Sequence, residues 1–235
     1  MRSPAPASPP SRAAPDASVR NAPLPALQTT ASGHCILYVM AAEQEYGPHL
    51  RARISPLITG VGPIEAAITT ATALTRLAQV GTPPDLIVSL GSAGSARLSH
   101  CGLYQADSVA WRDINAAPLG IAPGTTPFAT FPAILPLPLR LPDLPSASLS
   151  TGGDIVTGKG FDAIAQDMVD METYAIARAA MVAQTPLIAL RGISDGQAPV
   201  TGLHDWTEYL HIIDAKLATA IDTIPAALET GLLCL

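Results

Sequence analysis

Short apolar runs alternating with longer helix-patterned stretches constrain this chain more than any other feature. CILYVMAA (35–42), DLIVSL (85–90) and PLIALRGIS (186–194) are each bounded by polar, Gly or Pro positions, and they read as strands buried on both faces. Between them lies IEAAITTATALTRLAQV (64–80), with Pro63 placed where a helix begins. ETYAIARAAMVA (172–183) carries apolar residues at 175, 176, 179 and 182, a helical stripe. RISPLIT (53–59), YQADSVAW (104–111) and SLSTGGDIV (148–156) read as further strands, and HDWTEYLHIIDAKLATAIDTI (204–224) as one long amphipathic closing helix. The alternation implies an α/β sheet with helices on both faces. The longest apolar run falls far short of the about 20 residues that a membrane span requires, so the positive mean hydropathy belongs to a buried sheet and no membrane partner is expected.

Two segments break the pattern. Residues 1–32 hold seven of the 23 prolines among Ala, Ser and Arg, with too little apolar surface to offset the entropy of ordering, and a disordered tail is expected there. The tail has Arg2, Arg12 and Arg20 but no apolar core, so it is not read as a secretory signal. Residues 33–235 form the expected folded domain. Within it, 118–145 contains eight prolines together with Leu, Ile and Phe, and is expected as an ordered, extended loop packed on the core.

The net charge of −6 and a mere two lysines, Lys159 and Lys216, leave no basic patch for phosphate backbones, which excludes nucleic acid as a partner. Cys35, Cys101 and Cys234 form no CxxC pair and are odd in number, which points to reduced thiols and a cytoplasmic location.

Chemistry concentrates at turns after strands. Gly60-Val61-Gly62 and Gly91-Ser92-Ala93-Gly94 each follow a strand; each is either a plain tight turn or a cradle whose amides hold a phosphate or a sugar hydroxyl. GVGPIEA is not a dinucleotide fingerprint, and no GxxxxGK[ST] occurs. The five histidines show no HExxH or HxxxH spacing, so no metal or other cofactor is expected. The carboxylates are more telling. Glu43 and Glu45 lie just past the C-terminal end of the first strand, where open α/β sheets bind ligands. Glu172 opens a helix, where the helix dipole favours a carboxylate without any further role. Asp195 ends a strand, as a catalytic acid or as a helix cap.

GVGPIEAA (60–67), LIVSLGSAG (86–94), VDMETYAIARAA (169–180) and LRGISDG (190–196), with AAEQE (41–45) before them, resemble in order and spacing the nucleoside phosphorylase/nucleosidase superfamily. Within it, the chain is most similar to the 5′-methylthioadenosine/S-adenosylhomocysteine nucleosidases, over roughly residues 35–225. The resemblance implies a three-layer α/β/α sandwich with a mixed central sheet and a hydrolase that frees adenine from such nucleosides. It implies that Asp195 protonates or hydrogen-bonds N7 of the leaving base and that Glu45 orients and deprotonates the attacking water. Glu172 would hold the ribose hydroxyls, steadied by Arg191, with Met171 packed beneath the sugar and Ser92 and Gly94 beside water and ribose. Ile155 falls where an aromatic residue of the family stacks on adenine, Val156 would offer its backbone to the base edge, and Trp206 resembles the late aromatic that closes over the base. Asp170 stands where the family has Glu. A homodimer is implied. The rival readings are a purine nucleoside phosphorylase, a nucleosidase for AMP (with Arg97 or Arg112 as the available cation) or for a futalosine-like nucleoside, and a catalytically silent nucleoside-binding protein.

Overall fold

The computed structural model describes residues 23–196 and 201–235. Most of the proline-rich tail lies outside them. Among the described residues nine strands form one mixed sheet: β1 (Gln28–Thr29), β2 (Cys35–Met40), β3 (Leu57–Ile58), β4 (Leu86–Gly94), β5 (Leu103–Trp111), β6 (Ile134–Pro136), β7 (Ser146–Thr151), β8 (Met168–Asp170) and β9 (Leu187–Asp195). The flanking helices are α1 (Pro48–Arg51), α2 (Pro63–Gln79), α3 (Thr173–Ala183), α4 (Leu203–Thr207), α5 (Leu210–Ile221) and α6 (Ile224–Glu229).

Alternation along the buried strands explains why they read as continuous apolar runs. On β2, Leu37 and Val39 join a core cluster with Leu74 and Leu77 of α2 and Ile176 of α3. Ile36, Tyr38 and Met40 face the other way, into a second cluster with Ile213, Leu217 and Ile221 of α5 and Ile224 of α6. A strand covered on both faces has no polar face to show. The central strands are also closed on themselves: β4 pairs with β9 and β8, β9 with β5, β5 with β7, and β7 with β8. The ring leaves these five strands no free edge.

Several expectations change. Residues 28–29 of the expected tail are β1, paired antiparallel with the start of β2, so order begins before residue 33. Of RISPLIT, Leu57–Ile58 alone is strand; Pro56 has no amide to give a ladder. β7 stops at Thr151, and 152–156 is loop. The expected closing helix 204–224 divides into α4 and α5 and ends at Ile221; α6 is a further helix beyond it, with Pro225 in its first turn, where a helix continuing from α5 would need an amide. The 118–145 segment is ordered and mostly irregular, and it buries Leu135, Leu137 and Leu141.

α5 also fixes the segment that leads to the site. Asp214 is buried, and its carboxylate accepts the amides of His49 at 2.8 Å and Leu50 at 3.1 Å, in the first turn of α1. These amides have no partner within their own helix. Asp214→Ala is expected to cost about 2 kcal/mol, read as a lower urea midpoint with an unchanged slope; an unaltered midpoint would remove Asp214 from this role.

Candidate active site

The ends of β2, β4, β8 and β9 and the loop after β7 surround a cavity of about 290 Å³. Its lining includes Glu45, Ser92, Gly94, Ile155, Val156, Met171, Glu172, Asp195 and Trp206. Arg191, to which the resemblance assigns a site role, does not line it, nor do Glu43 and Arg97.

Glu45 sits in a 3-10 turn (Glu43–Glu45) just after β2 and is buried. Its Oε1 accepts the Ser92 amide and the Ser92 hydroxyl, both at 2.6 Å. Burial pushes its carboxyl above the usual range, and the two Ser92 bonds and the Arg191 guanidinium pull it back. Glu172 precedes α3, and its Oε1 accepts the Gly62 amide at 2.8 Å. Gly62 has a φ of +100°, open to glycine at little cost, and this conformation forms the entry to α2. Gly91-Ser92-Ala93-Gly94 is not a turn but the last part of β4, and the amides of Gly62 and Ser92 each point at a carboxylate of the protein itself rather than at a phosphate.

Asp195 owes its placement to a bulge. β4 and β9 run in register up to Ala93 and Ile193, then slip, so that Gly94 faces Asp195. A slip of one residue exchanges the faces of a strand, and here it presents Asp195 to the cavity while Ser194 stays buried. A Cβ on Gly94 would lie 2.9 Å from Asp195 Oδ2, so that approach requires glycine. The Ser194 hydroxyl donates to Asp195 Oδ1 at 2.6 Å, and burial holds this carboxyl above its ordinary value.

Arg191 does not steady Glu172 directly. Its guanidinium pairs with Asp170 at 3.1 Å and donates to the Ser89 and Leu190 carbonyls and to the Ser89 and Thr173 hydroxyls. Asp170, not Glu172, takes the first amide of α3, from Thr173 at 3.0 Å. Burial, then the Asp170 charge, push the Glu172 carboxyl up to about 7, against the Gly62 amide and the Arg191 guanidinium, which lower it. An acid whose folded value lies above its unfolded one contributes stability that is complete below its unfolded value and is lost as pH rises toward the folded one. The unfolding free energy of wild type relative to Glu172→Gln is therefore expected to fall between about pH 4.5 and about pH 7 and to be flat outside that window; a flat difference throughout would contradict it.

Asp154, Val61, Leu203 and Arg112 also line the cavity, and of these the sequence marks Arg112 alone, as one of two cations near a phosphorylated substrate. Arg112 lines the cavity directly after β5, and its guanidinium is bound to the carbonyls of Ser150, Asp170 and Asp154. The signal for it was its position at the C-terminal end of a strand. Arg97 instead grips the carbonyls of Ile164, Ala165 and Gln166 and lies outside the cavity lining.

The mixed sheet with flanking helices is an α/β fold of the nucleoside phosphorylase-like type. It is similar to the 5′-methylthioadenosine/S-adenosylhomocysteine nucleosidase of S. pneumoniae solved with a transition-state inhibitor, with a TM-score of 0.67 and 17% identity over 82% of this chain and 99% of that one. The S-adenosylhomocysteine nucleosidase of Streptococcus pyogenes gives 0.63 and 22% over 83% and 96%. A futalosine hydrolase of Helicobacter pylori gives 0.64 and 16% over 80% and 96%. No protein-family model and no curated protein matches the sequence. At these identities the likeness establishes the fold, and the chemistry rests on the residues of the cavity.

Proposed function

We propose that this chain is a cofactor-independent hydrolase of the methylthioadenosine/S-adenosylhomocysteine nucleosidase class, releasing adenine from 5′-methylthioadenosine, S-adenosylhomocysteine or a close relative. One observation carries the reading: Glu45, Glu172 and Asp195, from three distant segments, share one cavity, and burial raises the proton affinity of each. Groups of that kind suit proton transfer near neutral pH. Cleavage breaks the bond between C1′ and the base nitrogen and forms a bond from C1′ to water oxygen. The proton of water passes to Glu45, and Asp195 supplies a proton or a hydrogen bond to N7, where charge gathers as the base leaves. Glu172 accepts the ribose hydroxyls above Met171, and the loop carrying Ile155 and Val156 borders the base beside Trp206.

The charge of the cavity supports water over phosphate as the nucleophile. Its lining carries the carboxyl groups of Glu45, Asp154, Glu172 and Asp195 against the guanidinium of Arg112, which is already bound to carbonyls, while the Asp170 carboxylate is paired with Arg191. A phosphate dianion, free or on a nucleotide, meets net repulsion there. We assign the chain a homodimer, because Val61, Ile64 and Ile68 stand exposed beside the cavity at the head of α2 and form an apolar patch suited to a second copy. The two core clusters support a three-layer α/β/α arrangement, and the unpaired cysteines fit a cytoplasmic role in clearing by-products of S-adenosylmethionine chemistry.

The test is chromatography of free base from methylthioadenosine, S-adenosylhomocysteine, adenosine, inosine and AMP, each with and without phosphate. Adenine released from the thio-nucleosides regardless of phosphate is the expected result. Release that depends on phosphate would make the protein a phosphorylase, and a folded protein silent on all five would favour a binding role.

A further inference from the structure

Trp206 reaches Glu45 through a single hydroxyl. The indole Nε1 lies 2.9 Å from Ser92 Oγ, and Ser92 Oγ lies 2.6 Å from Glu45 Oε1. An indole N–H donates and has no acceptor, so Ser92 Oγ is the acceptor in the first contact, and its one proton is left for the carboxylate. The direction of the chain is thereby fixed, from indole to hydroxyl to Glu45. With the Ser92 amide at 2.6 Å, Oε1 takes two bonds, while among the described residues Oε2 takes none and remains for a ligand in the cavity.

The donor comes from a separate piece of structure. Trp206 belongs to α4, the short helix beside the cavity, whose start is tied by the Thr201 amide and hydroxyl to Asp205 at 2.6 and 2.8 Å. Glu45 belongs to the turn after β2, and Ser92 to β4. The contact between Trp206 and Ser92 is thus a strut between the cover of the cavity and its floor.

Building on the nucleosidase reading, we infer that Trp206 is a positioning residue for Glu45: its N–H turns the Ser92 hydroxyl toward the carboxylate, so that seating α4 over the cavity readies Glu45 to take a proton from water. Stacking on a base needs an aromatic face alone; this role needs the indole nitrogen. Chained hydrogen bonds polarise one another, and a donor at the far end favours the ionised carboxylate. The other charges that bear on Glu45 are Arg191 on β9, Asp170 at the end of β8 and Glu172 before α3. On its own turn, Glu43 is engaged by exposed Arg51 at 2.7 Å, and Asp214 of α5 is bound to the α1 amides.

Trp206→Phe keeps the ring and removes the N–H. On the nucleosidase reading, Glu172 accepts the ribose hydroxyls as a carboxylate in the complex, and the acid limb of kcat is assigned to Glu45. The ratio of kcat in Trp206→Phe to kcat in wild type is expected to be about five-fold smaller on the acid limb than on the plateau above it. Ser92→Ala is expected to show the same limb, with Trp206→Phe adding nothing further in that background. A loss uniform across pH, or additive with Ser92→Ala, would overturn the proposal. A second measurement needs no turnover. The chain has two tryptophans, so in Trp111→Phe the emission comes from Trp206 alone, and it is expected to titrate with pH and to lose that titration in Glu45→Gln and in Ser92→Ala. A flat emission between about pH 5 and about pH 9 overturns the relay whether or not a nucleoside is cleaved. An emission that titrates and loses the titration in Glu45→Gln and in Ser92→Ala, in a protein that releases no adenine, upholds the relay and overturns the nucleosidase reading; a titration that survives in those variants belongs to another group and overturns the relay.

Discussion

Asp195→Asn is expected to lower adenine release by about 10³-fold and to leave nucleoside affinity within a few-fold, because general acid catalysis by one positioned group contributes about 10²–10⁴. The amide fills the same space and still accepts the Ser194 hydroxyl, which now donates to the carboxylate at 2.6 Å. Its NH2 group still offers a hydrogen bond, and what it lacks is an acidic proton to transfer to the departing base. Burial raises the Asp195 carboxyl and the Ser194 bond opposes that rise, with the His100 charge a lesser opposing influence. Single-turnover adenine release and calorimetric binding of a non-hydrolysable methylthioadenosine analogue separate the two effects. Turnover within ten-fold of wild type would sink the assigned role, and lost affinity would make Asp195 a binding group instead. Gly94→Ala approaches the same carboxylate from outside: a Cβ 2.9 Å from Oδ2 forces Asp195 aside, so turnover falls although no reacting group has been removed.

The parts legible in the sequence are those written in local pattern. β2, β4 and β9 announce themselves because both faces are covered, and α2 and α3 because their stripes carry the helical period. Glu45, Glu172 and Asp195 stand out as acids at the edges of those elements. β1 and β8 are two and three residues long, too short to show a period, and hold their places by pairing, β1 with the adjacent β2 and β8 with β7 and the distant β4. The closing helix broke at Glu208-Tyr209 with no proline or glycine to mark it; the break sets Leu210, Ile213 and Leu217 into the core while Trp206 turns to the cavity. The partner of Arg191 was illegible for a similar reason. Asp170 and Glu172 are two positions apart, and the choice between them depends on which one Thr151 and Thr173 hold behind the cavity wall.

That choice carries a large energetic consequence. Asp170 and Arg191 form an ion pair at 3.1 Å with side chains 2% and 3% exposed, and the carboxylate also takes the Thr151 hydroxyl at 2.6 Å and both the amide and the hydroxyl of Thr173. A buried pair gains little over a well-packed apolar one, yet removing one partner strands the other charge away from water. Asp170→Ala is accordingly expected to cost about 3–5 kcal/mol of unfolding free energy, and Asp170→Asn less, since the amide oxygen still accepts. In a double-mutant cycle with Arg191→Met, the paired loss is expected to be smaller than the sum of the single ones. Equilibrium urea unfolding gives all of these quantities, and a change in Asp170→Ala below about 1 kcal/mol would mean that the guanidinium is satisfied by Ser89, Leu190 and Thr173 alone. The same substitution also acts on the site. The Asp170 charge raises the carboxyls of both Glu45 and Glu172, and Arg191 lowers both. With Asp170→Asn the arginine acts unopposed, so Glu172 ionises below about 7 and Glu45 shifts the same way. Nucleoside binding through ionised Glu172 then extends to lower pH in a protein that is less stable. A structural role for Asp170 without electrostatic reach would lower stability and leave that pH dependence where it was.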